Sequence, residues 1–103
     1  MKNIKPSMKF PKTINICGVW YKVLLVKDLR DKDDSKLDGN ISYTSTTISI
    51  DKELEEQSAW QVFIHELVHG WFTVLHIEIE NSENVVDSIA SQIYCTLFSS
   101  DWT

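Results

Sequence analysis

Residues Ser58 to Leu75 constrain the fold of this chain more than any other stretch, because an almost uniformly apolar run contains His65-Glu66-Leu67-Val68-His69. Trp60, Val62, Phe63, Ile64, Leu67, Val68, Trp71, Phe72, Val74 and Leu75 leave no wide polar face, so the segment reads as a helix buried in the middle of a domain. Two histidines four positions apart on such a helix are separated by about 40° around the axis and roughly 6 Å along it, so their ring nitrogens can meet at one ion. That arrangement suits tetrahedral zinc. Glu66 follows the first histidine, where a carboxylate can take a proton from water on the metal. A chance match to this pattern over a chain of this size is on the order of one per cent, and the apolar flanks lower it further.

The rest of the chain has to build a domain around that helix. With 103 residues, 43% of them hydrophobic and four tryptophans, there is material for one core and no second one. Residues 1–12, interrupted by Pro6 and Pro11, read as an irregular N-terminal arm, and 13–103 as a single domain. No apolar run reaches membrane-spanning length and no signal-peptide core follows the basic start, so the expectation is a cytoplasmic protein with no membrane partner. Cys17 and Cys95 lack a CxxC spacing and read as reduced thiols. A net charge of −5 argues against a nucleic-acid partner, and the mixed charges of Asp28 to Asp38 read as a solvated loop.

Alternation and turn signals predict four short strands. Thr13–Cys17 carries Ile14 and Ile16, and Gly18 then permits a hairpin turn. Trp20–Val26 is apolar on both faces for part of its length and is expected at the centre of a sheet, covered on both sides. The aperiodic loop ending in Asp38-Gly39 leads into a third strand near Asn40–Tyr43, and after a turn at Thr44–Thr46 the alternation of Ile48 and Ile50 marks a fourth at Thr47–Ile50. Ser58-Ala59-Trp60-Gln61 has capping-box spacing, which predicts a helix from Ser58 to about Leu75. His76–Glu80 alternates and reads as extended, and a second helix capped by Asn81 or Ser82 runs to about Phe98 with Val86, Ile89, Ile93 and Leu97 on one side. The expected fold is α+β, a small mostly antiparallel sheet of about four short strands packed on two main helices.

Two histidines hold zinc weakly, so a third ligand must come from elsewhere while a fourth position stays open for water. His76 follows His69 by seven residues, where the metzincin pattern HExxHxxGxxH needs six, and it would lie about 10 Å along a continued helix. Glu83 and Asp87 are four apart at the start of the second helix. Glu83 can ligate the metal while Asp87 hydrogen-bonds the far nitrogen of a ligating histidine and fixes its tautomer. A helix N-terminus also collects acidic residues for its dipole, and that alternative stands beside the first. For an oxyanion donor the candidates are Tyr43 and His76. Tyr94 shares a face with Glu83 and Asp87 but lies about 16 Å along the helix from Glu83, which reads as core packing.

His65-Glu66-Leu67-Val68-His69 followed by Glu83-Asn84-Val85-Val86-Asp87 resembles the HExxH and ExxxD pattern of gluzincin metallopeptidases. The lead-in through Ile16–Val23, Gly39–Tyr43 and Ile48–Ile50 is similar to the small ImmA/IrrE-like metallopeptidase proteins of phages, prophages and mobile elements, a likeness covering residues 13–98. The resemblance implies a minimal zincin-like domain, a zinc ion, Glu83 as third ligand and Asp87 behind a histidine. It also implies cleavage of a regulatory protein such as a repressor, in the host cytoplasm if phage-encoded. The 13 residues between His69 and Glu83 are fewer than that pattern usually has, which leaves Asp87 open as an alternative ligand.

The functional expectation is therefore a zinc-dependent metallopeptidase in which His65, His69 and Glu83 hold the ion and Glu66 activates water against a peptide bond. Thr47–Ile50 or its neighbouring strand is expected to pair with an extended peptide. The alternative is a zinc-binding interaction module, catalytically weak or inactive, that acts by binding a host or regulatory protein.

Overall fold

The computed structural model describes residues 9–98; residues 1–8 and 99–103, which hold most of the expected N-terminal arm and the end of the expected domain, lie outside the described residues. The elements are β1 (Thr13–Ile16), β2 (Val19–Val26), β3 (Gly39–Ser42), β4 (Thr47–Asp51), α1 (Glu56–Val74) and α2 (Ser82–Phe98). They form an α+β fold with one four-stranded sheet in the order β1-β2-β4-β3. The β1–β2 and β3–β4 pairings are antiparallel, and the two hairpins join through a parallel pairing of β2 with β4 that sets Val23 opposite Ile48.

The first hairpin closes through Cys17 and Gly18, whose φ values of 50° and 94° supply the two left-handed residues that a two-residue turn matched to strand twist requires. Asn15 Oδ1 accepts the Gly18 N–H at 2.7 Å and holds the turn. Between the hairpins, residues 27–38 form a solvated loop in which Asp31 Oδ1 accepts the N–H groups of Asp33 and Ser35 and only Leu29 is buried. Lys36 reaches from this loop to the carboxylate of Asp51, a charged side chain only 3% exposed at the end of β4.

Packing explains why α1 is apolar almost all round. It lies across the sheet on Ile16, Ile41, Ile48 and Ile50, and α2 packs on its other side without reaching the strands. Ala59, Phe63, Ile64, Leu67 and Val68 are buried between these layers, and Val86, Ala90, Tyr94 and Phe98 complete the core from α2. The layers are thus sheet, α1, α2. Phe10 stacks on Trp60 with ring centroids 4.4 Å apart, and Trp60 packs against Phe63 and Phe98.

Two local expectations need correction. α1 begins at Glu56, not Ser58, and Glu55 is its N-cap without a side-chain hydrogen bond; the backbone bond from Ala59 N–H to the Glu55 carbonyl starts the helix a half-turn before the capping-box spacing suggests. β2 is central, but only one face of the sheet is covered by helix, so Trp20 and Leu24 on the other face are 62% and 46% exposed. Residues 77–79 are non-helical, as the alternation of His76–Glu80 suggests, and pair with no strand; α1 ends in a turn just before them. There the N–H groups of His76 and Ile77 bond back to the carbonyls of Thr73 and Phe72 at 3.2 and 2.9 Å, a Schellman arrangement with His76 in the left-handed region at φ 55°.

Candidate metal centre

Helices α1 and α2 run antiparallel, so the four-residue step between His65 and His69 faces the four-residue step between Glu83 and Asp87. Side chains four apart on each helix stack along one face, which is why two pairs meet in register. Glu83 Oε1 stands 3.0 Å from His65 Nε2 and 3.2 Å from His69 Nε2, and the two Nε2 atoms are 3.1 Å from each other. Asp87 Oδ1 lies 2.8 Å from the other nitrogen of His65, Nδ1. The arrangement of the two carboxylates is therefore specific: Glu83 faces both Nε2 atoms and Asp87 sits behind one ring.

The donor set fits a metal ion. Three donors about 2.0–2.1 Å from a tetrahedral zinc are separated from one another by roughly 3.3 Å, close to the three separations found here. With Asp87 Oδ1 2.8 Å away, a proton on His65 Nδ1 would face a carboxylate, the tautomer that leaves the Nε2 lone pair free to point at the shared centre. One imidazole is 24% and the other 27% exposed, while Glu83 is 66% exposed, so the centre opens to solvent on the α2 side. Desolvation pushes Glu83 up, but its hydrogen bonds and charge contacts with His69 and His65 outweigh that and hold it below the usual carboxylate range.

Glu66 follows His65 on α1 and is only 8% exposed. Burial pushes its carboxyl above the ordinary range, His65 and His69 pull it back down, and Glu83 adds to the rise. It lines a groove of about 470 Å³ together with His65 and Asp87, so a base, a ligand and that ligand's support share one cleft. Gly39, the first residue of β3, lies against this wall. A methyl group there would collide with Val62 Cγ1 and come 3.5 Å from Glu66 Cγ, so the absence of a side chain lets the edge strand approach the helix beside Glu66.

The two candidate oxyanion donors lie elsewhere. The Tyr43 hydroxyl accepts a hydrogen bond from Thr73 Oγ1 at 3.0 Å, one turn beyond His69. His76 lines a separate cleft with His69, Thr73 and Ser82. Neither lines the groove that holds Glu66. Tyr94 does line it: its ring stacks on Phe98 at 4.9 Å within the core, yet its hydroxyl is buried without a hydrogen-bond partner among the described residues. The sequence signal for this was its seven-residue step from Asp87, about 10 Å along the helix, together with the tendency of helical side chains to lean toward the N-terminus. Cys17 and Cys95 are both free and exposed.

No family model, curated protein or solved structure matches the chain. Among the described residues, no helix is long and apolar enough to cross a membrane.

Proposed function

We propose that this protein is a zinc-dependent peptide hydrolase whose metal ligands are His65, His69 and Glu83. The observation that carries the reading is the convergence of those three donors within 3.2 Å of one another, with Asp87 orienting His65 and Glu66 buried in the adjoining groove. A zinc ion held there would supply Lewis acidity, making water nucleophilic near neutral pH and polarising a carbonyl. The Glu66 carboxylate accepts the proton of the attacking water and delivers it to the departing amine nitrogen. Asp87 keeps the His65 ring turned and its proton on Nδ1. Strand addition falls to β3, because β4 is flanked on both sides by β2 and β3 and has no free backbone edge. An extended peptide on β3 would pass Gly39 and reach the groove beside Glu66. The gluzincin and ImmA/IrrE-like resemblance supports a regulatory protein as substrate and the cytoplasm as compartment.

A second reading, a zinc-binding interaction module without turnover, is favoured by the absence of Tyr43 and His76 from the lining of the groove that holds Glu66, where an oxyanion donor would act. Metal analysis and peptide-library cleavage on the zinc-loaded protein and its Glu66→Gln variant separate the two. The hydrolase reading expects stoichiometric zinc in both and cleavage by the first alone. Zinc in both with no cleavage by either points to the module, and no bound zinc in either overturns the metal centre.

A further inference from the structure

The groove beside the proposed metal centre holds more chemistry than the reaction uses. It runs from His65, Glu66 and Asp87 to Tyr94, between α1 and α2, and passes Asp38 next to the start of β3. Tyr94 is 5% exposed and its hydroxyl has no hydrogen-bond partner among the described residues. A buried hydroxyl left unpaired is unfavourable, so this one, on a residue that lines the groove, offers an acceptor that a group entering the groove can satisfy once the wall shifts to admit it. The charge of the groove says which kind. None of its lining residues is a lysine or arginine. Even with a divalent ion seated on His65, His69 and Glu83, the carboxylates of Asp38, Glu66, Glu83 and Asp87 outnumber its charges. Between the acidic positions the walls are lined by Val62 and Ala90, short apolar side chains suited to a hydrocarbon stem.

We propose that this groove is a specificity pocket for a lysine or arginine side chain of the bound peptide. The stem lies along Val62 and Ala90, the cationic head donates a hydrogen bond to the Tyr94 oxygen, and Asp38 supplies a facing negative charge at the rim. The proposal rests on the peptide-hydrolase reading, and names a substrate class for it: segments with a basic residue next to the bond to be cut.

The test is binding, so it does not need turnover. Blocked tripeptides with a central Lys, Arg, Met or Glu are titrated into zinc-loaded Glu66→Gln protein and followed by calorimetry and amide chemical shifts. Lys and Arg peptides are expected to bind roughly tenfold tighter than Met, the effect of one charge-assisted hydrogen bond, with Glu weakest. Tyr94→Phe and Asp38→Asn, made in that background, should each remove several-fold of the basic preference while leaving zinc content and Met binding unchanged. Ser91→Met, which narrows the groove from its wall, should weaken all four peptides. Equal or tighter binding of the Met peptide, or a basic preference that survives Tyr94→Phe intact, overturns the proposal. Peptide-library cleavage by the zinc-loaded Glu66 protein is scored separately: cleavage without basic preference sinks the pocket alone, and basic-selective binding without cleavage sinks the hydrolase reading alone.

Discussion

His65 is held from both ring nitrogens, Nδ1 by Asp87 and Nε2 by the shared centre with His69 and Glu83. If the proposed zinc is held there, removing the outer partner should loosen it without abolishing binding. Asp87→Asn is expected to weaken zinc affinity by about 10- to 100-fold, measured by competition with a chromophoric chelator, whereas His65→Ala or Glu83→Ala should lose stoichiometric zinc. Retained zinc in Glu83→Ala would overturn Glu83 as the third ligand. A second residue-scale pair lies away from the centre. The Lys36 hydrogen bond, helped by the Glu53 N–H, holds Asp51 below its ordinary 3.8 despite opposing desolvation, and the same bond holds Lys36 above its ordinary 10.5. Because the Asp51 value is lowered on folding, its stabilisation is present above about pH 3.8 and fades as pH falls through the lower folded value. The raised Lys36 value acts in the opposite window, contributing below pH 10.5 and fading as pH rises beyond it. Thermal melts from pH 2 to 7 should show a shallower acid limb for Asp51→Asn than for the parent. His65, Glu66 and His69 were legible from spacing alone. Tyr94, Gly39 and the Lys36–Asp51 pair were not, since each acquires its role only from what a distant element brings beside it.

Helix α1 is the element on which the molecule turns, and its two ends are specified differently. Its start has no side-chain cap, while its end places His76 at a left-handed position that glycine fills most easily. His76→Gly should raise stability by about 1 kcal/mol in denaturant titrations, because a side chain at such a φ costs about that much. No gain would indicate that the imidazole makes compensating contacts in the cleft it shares with His69. Across the helix, Gly39→Ala forces β3 off Val62 and should cost about 1–3 kcal/mol in denaturant titrations, and under the proposed hydrolase reading the displaced Glu66 should also lower cleavage in the fraction that remains folded. Hydrophobic period marked β1, β2, β4 and α2, whereas β3 was legible from the turn signal at Asp38-Gly39 and α1 from its apolar run, its histidine spacing and the capping-box pattern. The capping-box spacing at Ser58 misplaced the helix start because a side-chain pattern does not decide where the first backbone bond forms.

At the scale of the whole molecule, the sheet order was beyond the reach of alternation patterns, which say which faces are apolar but not which strands are neighbours. The parallel junction of β2 with β4 depends on the length and anchoring of residues 27–38, and the bare outer face with Trp20 reflects having two helices on one side only. The proposed ion bridges α1 and α2, the outermost layer, so its loss should be felt there first. At free zinc about a thousandfold above the dissociation constant the gain is about 4 kcal/mol, and chelation should lower the melting temperature accordingly and speed amide exchange in α2 ahead of the β2–β4 strands. The parallel junction has one further consequence. Every residue named for the metal centre and for the groove lies after that junction's first strand, from Asp38 onward, while β1 and β2 contribute only packing surface and a strand edge. A nick in the exposed loop near Asp33 would thus divide the chain into a hairpin that carries no chemistry and a larger fragment that carries all of it, and reassociation of the two pieces would make assembly of the sheet a bimolecular event, switchable by the concentration of the hairpin.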